Sequence, residues 1–316
     1  MNENSTLYFT AFSSYESCPQ QFLWTYGWGH IDLGNGPGFG KTRPVKKSAH
    51  HALMGIVIQA VLEKMYNEEL YRDPQNLSQR LLQEVEREWF RQSKKARNWV
   101  DYAEAGMSES ELIQVCREGV TGYLKTMKAH KLIGPYAKSE VLLVGWINKW
   151  LCLGGKADFI IRREDVGVTI LDGKNTKRKM DGVDADQLRW YAMVFKLAYK
   201  QYPDRLGFVW FRFPHGMETV NPETQALEVE TGVEWVEFTE DDLRGLAQRA
   251  IEARDGMRKE KFAPTPSPQT CEYCDFSSVC EARIAQKAAN FRGSRTKKEL
   301  EGISSTGGFL DLSSED

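Results

Sequence analysis

Long apolar runs, a leader segment and a dense set of cysteines are all missing from this sequence. No run approaches the roughly 20 apolar residues of a membrane-spanning helix, and the beginning, MNENSTLYFT, lacks the basic and apolar regions of a signal peptide. Six cysteines are too few for a disulfide scaffold in a chain of 316 residues. We therefore expect a cytoplasmic protein without membrane contact, in which clustered cysteines hold metal more often than they form disulfides.

An excess of charge of one sign is also missing, since the formal net charge is −2. Contacts with nucleic acid must then come from local basic clusters and not from the field of the whole protein. The glycine-rich stretch 34–42, GNGPGFGKT, is similar to a phosphate-binding loop, but Asn35 stands where the Walker pattern requires glycine. This mismatch excludes an ATPase.

Hydrophobic periodicity predicts helices in the first part of the chain. A short helix is expected from Ser13 or Ser14, either of which can cap it, to about Tyr26. Apolar residues recur at helical spacing over 53–65, and a charged helical segment follows over about 66–135. We expect this helical segment to lie beside the core of the protein.

Strands dominate the second half of the chain. The stretches VLLVGWINKWLCLGGKADFIIRR, VTILDGKNT, RLGFVWFRF and 233–238 predict strands, and DADQLRWYAMVFKLAYK predicts an amphipathic helix. A further helix capped by Thr239 is expected to extend to about Ala253. These patterns predict one α/β domain over 1–286, with a mixed central sheet flanked by helices. The last part, 287–316, ends in acidic residues and is predicted to be disordered.

Two carboxylates and a lysine stand on neighbouring predicted strands. Asp158 is expected where one strand begins, and Asp172-Gly173-Lys174 ends the next strand. Carboxylates on adjacent strands can hold Mg²⁺ or Mn²⁺, which prefer oxygen ligands, and the carbonyl of Gly173 can approach such a metal closely. Lys174 points to the same face as Asp172 and can orient a water or stabilise a transition state. This chemistry is that of phosphodiester hydrolysis, although an isolated Asp-x-Lys is more often a surface ion pair.

The order of these motifs carries more information than each motif alone. Gly-x-x-Asp ending at Asp158 is followed by Asp172-x-Lys174 and then by Gln187-x-x-x-Tyr191 on a helix. This succession resembles the core of the RecB-type branch of PD-(D/E)XK nucleases. The resemblance implies a restriction-endonuclease-like core, in which Asp158 and Asp172 bind metal and Lys174 is the catalytic lysine. Gln187 and Tyr191 would be the helix pair that braces the site and the DNA, although core packing is an equal reading for Tyr191.

One motif departs from that family, whose members commonly carry Gly-x-x-x-His-x-x-x-Glu on an early helix with the histidine as a metal ligand. The corresponding stretch here begins at Gly55 and has Gln59 in place of the histidine. Gln59 offers only a neutral carbonyl oxygen, which is a weaker ligand. Either two carboxylates suffice, or another residue such as His50 or His51 substitutes. The departure predicts weaker metal binding and a slower reaction.

Three cysteines lie close together near the C-terminus, in the spacing Cys271-x2-Cys274-x5-Cys280. A fourth ligand is needed for a tetrahedral site, and Cys18 is the best candidate, while spacing alone favours Zn²⁺. Cys-Pro near the N-terminus combined with this C-terminal spacing resembles the iron–sulfur staple of CRISPR-adaptation nucleases and AddB-type helicase–nuclease subunits. The resemblance implies a structural [4Fe–4S] cluster, with Zn²⁺ as the alternative, in a terminal knuckle over 271–280.

Basic residues crowd the connection beside the proposed site. Lys177, Arg178, Lys179 and Arg189 are predicted to contact DNA phosphates. Together with the resemblance, they predict a divalent-metal-dependent DNA exonuclease acting on single strands or ends, with 5′-to-3′ polarity favoured. The alternative is a weakly active or inactive DNA-end-binding or assembly subunit of a recombination, repair or CRISPR-adaptation complex.

Overall fold

The computed structural model describes most of the chain, namely residues 6–31, 49–95, 98–176, 184–212, 218–220, 227–229, 232–272 and 274–287, with the side chains of 27–31, 218–220 and 227–229 left aside. The glycine-rich stretch 34–42 and all but the first residue of the predicted tail 287–316 lie outside these ranges. No helix within the described ranges is long and apolar enough to cross a membrane.

The predicted helices and strands occur in the predicted order, but three short strands, Thr6–Tyr8, Glu218–Val220 and Leu227–Val229, were not predicted. The helices are α1 (Phe9–Ser17), α2 (Pro19–Ile31), α3 (His50–Asn67), α4 (Leu77–Ser93), α5 (Tyr102–Ala105), α6 (Glu109–Ala129), α7 (Ala185–Tyr199), α8 (Glu240–Arg258) and α9 (Pro268–Glu272). The strands are β1 (Thr6–Tyr8), β2 (Ala137–Asn148), β3 (Leu151–Arg163), β4 (Gly167–Lys174), β5 (Arg205–Trp210), β6 (Glu218–Val220), β7 (Leu227–Val229) and β8 (Val233–Val236).

A mixed sheet forms the centre of the protein, with the order β1-β3-β4-β5-β8 and with β2 paired to β3. β2 runs antiparallel to β3 along most of its length. On its other side β3 pairs first with β1, in parallel, and then with β4, in antiparallel. β4 and β5 are parallel, and β8 is antiparallel to β5. The prediction of a mixed α/β core is therefore confirmed.

Each face of the sheet is covered by its own set of helices. One apolar cluster joins the sheet to α1, α2, α7 and α8 and contains Phe12 and Trp190, whose rings stack with centroids 5.0 Å apart. The second cluster joins the opposite face to α3, α4 and α6 and contains Trp89 and Tyr123. Both faces are buried over most of the sheet, as is usual where helices flank a sheet. The predicted charged helical segment 66–135 corresponds largely to α4, α5 and α6.

The predicted helix from Ser13 or Ser14 to Tyr26 is wrong in its start and in its continuity. α1 already begins at Phe9, and the helix is interrupted at Cys18, whose backbone is extended with φ −162° and ψ 106°. The break has a simple cause, because the residue before a proline is disfavoured in the helical region, and Pro19 follows. Cys18 therefore occupies a corner between two helices.

Capping residues fix the beginning of α8. The Thr239 side chain accepts a hydrogen bond from the backbone of Asp242, and the Asp242 carboxylate accepts one from the Thr239 amide at 2.7 Å. Aspartate thus completes a capping box in which Glu or Gln is the usual partner. The helix extends to Arg258, beyond the predicted end at about Ala253.

Candidate active site

The ladder between β3 and β4 opens where the two predicted carboxylates stand. Its register runs from Arg163–Gly167 to Phe159–Leu171, and the next pair in sequence would be Asp158 and Asp172. Beyond Leu171, β4 stays paired with β5 but separates from β3. The amide of Gly173 instead donates to Oδ2 of Asp158 at 2.8 Å. The two carboxylates therefore stand at the point where the strands diverge.

Asp158 was expected at the start of a strand, but it lies well inside β3. The prediction fails because β3 begins at Leu151, where its first residues pair with β1 and β2 before β4 joins the sheet. Asp172 and Lys174 are at the end of β4, as predicted.

Asp172, Lys174 and Gln187 form a closed hydrogen-bonded group. Nζ of Lys174 lies 2.6 Å from Oδ2 of Asp172 and donates to Oε1 of Gln187 at 2.8 Å. Nε2 of Gln187 donates to Oδ1 of Asp172 at 3.0 Å and to the hydroxyl of Tyr191 at 3.2 Å. Every polar atom of the Gln187 amide is therefore used to hold the lysine and the carboxylate in one orientation.

The helix α7 carries Gln187 and Tyr191 to the sheet. Its N-cap residue, Asp184, accepts a hydrogen bond from the amide of Asp186, so that Gln187 falls in the first turn and Tyr191 one turn later on the same face. A Cβ at Gly155 would lie 2.9 Å from the Tyr191 ring. The glycine of the Gly-x-x-Asp motif thus allows α7 to approach the sheet closely.

The ring of Phe211 leaves room only for glycine at position 173. A Cβ at this position would lie 2.1 Å from Cζ of Phe211, whose ring covers the glycine. A side chain here would therefore displace either the ring or the end of β4. The glycine between the carboxylate and the lysine has a packing reason in addition to the predicted access to its carbonyl.

Burial changes the acidity of the carboxyl pair. Desolvation raises the pKa of Asp158, and repulsion by Asp172 raises it further, against the opposing effect of the Gly173 amide. Desolvation also raises the pKa of Asp172, although the Lys174 ammonium acts in the other direction. Together the two carboxyls retain a proton to higher pH than isolated carboxyls do.

A cleft of about 550 Å³ opens between the sheet and the helices α3 and α4. Asp158, Gly173 and Gln59 all line it, whereas Asp172 and Lys174 are not among its described lining residues. Its other lining residues are Gly55, Ile56, Ala60, Glu63, Arg91, Gln92, Lys95, Glu140, Lys156, Asn175 and Phe211. The cleft thus brings together residues from six separate parts of the sequence.

Glu140 is a cleft residue that sequence reasoning missed. It lies on β2 opposite Asp158, between the paired residues Ser139–Phe159 and Val141–Ala157, and its φ of 55° is left-handed. Its side chain is largely buried and forms an ion pair with Lys156. No sequence pattern distinguishes Glu140 from other glutamates, because only the strand register places it beside Asp158. The sequence could have identified Lys156, since this lysine stands two residues before Asp158 and therefore lies on the same face of the strand.

Residues 7–281 match the sequence profile of the PD-(D/E)XK nuclease superfamily. The chain belongs to the PD-(D/E)XK nuclease superfamily. Membership supports a metal-dependent nuclease that uses a divalent cation such as Mg²⁺ or Mn²⁺ and has DNA as its substrate. No curated protein matches the sequence. Among solved structures, one described as "Crystal structure of SSO0001" shares 20% identity, over 55% of this chain and 79% of that chain, with a TM-score of 0.29.

Gln59 occupies the cleft of this superfamily member but has an unusual environment. Its Nε2 atom is buried and has no hydrogen-bond partner among the described residues. Neither His50 nor His51 belongs to the described lining of the cleft, and their rings lie against each other with centroids 4.0 Å apart. The structure therefore offers no histidine in place of the amide within that lining.

The acidic groups of this nuclease bear on how it can bind a metal. Within the described part of the chain, no group of three or more His, Cys, Asp and Glu side chains is arranged to hold a metal ion. The oxygen donors that the fold brings to the opened ladder are those of Asp158, Asp172 and Gly173. Two carboxylates and a carbonyl match the ligand preference of Mg²⁺ and Mn²⁺, so the chemistry of the donors fits.

The four predicted cysteines all line one small cavity of the nuclease, together with Gln20, Gln21, Trp24, Pro264, Pro266, Thr270, Ser277 and Arg283. Burial raises the pKa of Cys274, and the charges of Cys18, Cys271 and Cys280 raise it further. The fold thus brings residue 18 to the C-terminal cysteines, although the four do not form a recognisable metal-binding group among the described residues. Cys116 and Cys152 are buried elsewhere.

The two chain ends that carry these cysteines are also joined without them. The Tyr15 hydroxyl donates to the carbonyl of Lys261 at 2.9 Å, and the Thr265 hydroxyl donates to that of Ser17 at 2.9 Å. These contacts fix the α1–α2 corner against the segment that precedes Cys271.

The predicted phosphate contacts are distributed differently. Lys177, Arg178 and Lys179 lie outside the described residues. Arg189 is described, and its Nη1 lies 3.1 Å from Oδ1 of Asp186 on the next turn of α7. It is absent from the described lining of the cleft. The described cations of the cleft are instead Arg91, Lys95 and Lys156, of which sequence reasoning predicted none.

Proposed function

We propose that the chain is a divalent-metal-dependent DNA exonuclease of the RecB-type branch, acting on single strands or ends with 5′-to-3′ polarity. The observation that carries this proposal is the opening of the β3–β4 ladder at Asp158 and Asp172, with Lys174 fixed beside them. Polarity and branch rest on the motif resemblance.

Asp158 and Asp172 would hold the cation together with the Gly173 carbonyl and the Gln59 amide oxygen. When bound, Mg²⁺ or Mn²⁺ supplies positive charge to the phosphate and lowers the pKa of a coordinated water. The residues of the chain provide the rest of the environment. Burial of the carboxyl pair excludes bulk water and strengthens every electrostatic interaction at the scissile phosphate.

Lys174 has the role of orienting the attacking water and stabilising the charge that develops on the phosphate. Its ammonium has three donors, of which Asp172 and Gln187 fix the direction of two. The third is available for an oxygen of the reacting group. Gln187 is then a positioning residue, because it acts through Lys174 and Asp172, and Tyr191 in turn holds Gln187.

The cations of the cleft bind the DNA backbone in this proposal. Lys156 stands on the same strand face as Asp158, and Arg91 and Lys95 reach the cleft from the end of α4. Their contacts to phosphates supply sequence-independent, salt-dependent affinity. Lys177, Arg178, Lys179 and Arg189 are proposed to extend this contact.

We further propose that Cys18, Cys271, Cys274 and Cys280 hold a [4Fe–4S] cluster, with Zn²⁺ as the alternative. The shared cavity and the four thiols support a four-sulfur site, which both groups require. Anaerobically purified protein should contain about four iron atoms per chain. It should also absorb broadly near 400 nm. Stoichiometric zinc without iron would exclude the cluster, and Cys274→Ser should lose the bound metal while Cys152→Ser retains it.

A second candidate function follows from Gln59, whose neutral amide replaces the imidazole expected in the family. With a weaker metal site the chain would act as a weakly active or inactive DNA-end-binding or assembly subunit of a recombination, repair or CRISPR-adaptation complex. This candidate predicts DNA binding without turnover.

End-labelled DNA distinguishes these candidates. Linear single strands and linear duplexes labelled at the 5′ or the 3′ end, and a circular single strand with an internal label, should be incubated with Mg²⁺ or Mn²⁺. The proposal predicts early release of the 5′ label in short products, persistence of long 3′-labelled fragments, and no attack on the circle. Cutting of the circle would contradict exonuclease action, and binding without cutting in both metals would establish the second candidate.

A further inference from the structure

The outer face of β2 carries a row of exposed apolar side chains. Leu142, Val144 and Trp146 alternate along the strand, so all three point to the same side of the sheet. Their exposed fractions are 60%, 42% and 47%. Three large apolar side chains in a continuous row on a surface mark a binding site more often than chance exposure.

The neighbouring strands extend this face. Val144 pairs with Gly154 of β3, which pairs in turn with Tyr8 of β1. A Cβ at Gly154 would lie 2.6 Å from the Thr6 side chain and 2.7 Å from the Tyr8 ring. The half-buried Tyr8 ring therefore lies over a strand that has no side chain of its own at this position. The result is a surface that carries two aromatic side chains, Tyr8 and Trp146, and two aliphatic ones, Leu142 and Val144.

Lysines stand at both ends of the row. At one end Leu142 pairs with Lys156, which lines the cleft next to Asp158. At the other end, in the β2–β3 turn, Nζ of Lys149 lies 4.7 Å from the ring of Trp150, which is 40% exposed. From residue 142 to residue 146 the strand extends about 13 Å at roughly 3.3 Å per residue. The face is therefore continuous with the cleft and long enough for two or three stacked bases.

We propose that this face, the β2 platform (Tyr8, Leu142, Val144, Trp146 and Trp150), binds the bases of a single nucleic-acid strand whose backbone enters the cleft. The inference rests on the proposed nuclease function. Single strands present base faces and phosphates in alternation, and the platform offers rings and aliphatic groups between cations. A duplex hides its base faces and cannot use such a surface. The platform thereby selects single-stranded substrate.

Steady-state kinetics on two substrates test the platform. Trp146→Ala should raise KM for a linear oligothymidylate about tenfold with kcat little changed, as loss of one stacked base predicts. Hydrolysis of bis(p-nitrophenyl) phosphate, which is too small to reach the platform, should not change. Trp146→Phe should restore most of the affinity because it restores a stacking ring. Trp235→Ala is the matched control, since Trp235 is 39% exposed on the opposite edge strand.

Photocrosslinking adds a readout that does not depend on cleavage. Oligothymidylate with 5-iodouracil, bound to the full chain in EDTA, should crosslink to Trp146 or Tyr8 and be competed by single strands but not by duplex. Unchanged KM for Trp146→Ala together with crosslinks elsewhere would overturn the platform. A shift of oligomeric state in Trp146→Ala, measured by light scattering, would overturn it in favour of a second copy. Crosslinking to the platform without hydrolysis under any metal would reject the nuclease and retain the strand-binding surface.

Discussion

The amide of Gly173 donates to the carboxylate of Asp158 at 2.8 Å, at the position where the β3–β4 ladder ends. A side chain thus accepts the main-chain donor of the adjacent strand, and the two strands separate around Asp158 and Asp172. The separation creates a wall of the cleft from a sheet that is otherwise regular. The acidic centre is therefore a consequence of how the sheet opens.

Asp158→Asn should stabilise the metal-free protein while abolishing hydrolysis. A carboxyl with a raised pKa in the folded state contributes stability at low pH and loses it as the pH rises through the folded pKa. The amide cannot ionise, and its oxygen can still accept from Gly173. We expect a gain of at least about 1 kcal/mol at pH 8 and a smaller gain at pH 5, measured by urea unfolding in EDTA. Equal effects at the two pH values would contradict the burial of a charged pair.

Stabilisation by Mn²⁺ should increase with pH. The cation binds the ionised carboxylates, and below their raised pKa values it must displace a proton from the pair. The shift of the melting temperature on adding Mn²⁺ is therefore expected to be larger at pH 8 than at pH 6. Asp158→Asn should remove most of the shift at both pH values, whereas Asp165→Asn, in the exposed β3–β4 turn, should retain it. A shift that is larger at pH 6 would disagree with this site.

Gly173→Ala should destabilise the end of β4 and slow the reaction. The added methyl would meet Cζ of Phe211 at 2.1 Å, and overpacking of this kind costs about 1–3 kcal/mol. Phe211→Leu in the same chain should recover part of both losses, because the shorter side chain leaves room. Gly245→Ala, which meets no atom within 4 Å on α8, is the control. If Gly173→Ala is as stable as wild type, the Phe211 ring can move away without cost, which would contradict this prediction.

Gln59→His should strengthen metal binding. Nε2 of Gln59 is buried without a partner among the described residues, so the amide gains little from its present position. An imidazole is a better ligand for Mn²⁺, and we expect the concentration for half-maximal activity to fall about tenfold. Gln248→His on α8 controls for an added histidine. If the metal dependence of Gln59→His equals that of wild type, residue 59 does not belong to the metal site.

The sequence predicted those parts of the fold that depend on local periodicity. Asp172 and Lys174 share a strand face because of the two-residue repeat, and Gln187 and Tyr191 share a helix face because of the four-residue spacing. Both relationships are local, and the structure shows both. The break at Cys18 was missed although Pro19 provides a local signal for it.

Non-local relationships were not predicted from periodicity. Glu140 reaches Asp158 through the register of β2 on β3, which no periodicity within β2 fixes. The position of Asp158 inside β3 depends on β1, which comes from the beginning of the chain. Proximity of Cys18 to Cys271 was expected from a family resemblance, since spacing cannot relate residues that lie so far apart in sequence.

The central claim is that Lys174 acts beside Asp158 and Asp172 in metal-dependent hydrolysis of DNA. Removing the Lys174 ammonium tests it most directly. Wild-type chain, Lys174→Ala and the control Lys128→Ala, in the exposed last turn of α6, should be freed of metal and then given Mn²⁺ with 5′-labelled linear single-stranded DNA. We predict rapid release of label by wild type and Lys128→Ala, and a rate at least about a hundredfold lower for Lys174→Ala, with the fold retained as measured by circular dichroism. Equal release by Lys174→Ala and wild type, or none by wild type in either Mn²⁺ or Mg²⁺, would contradict the account.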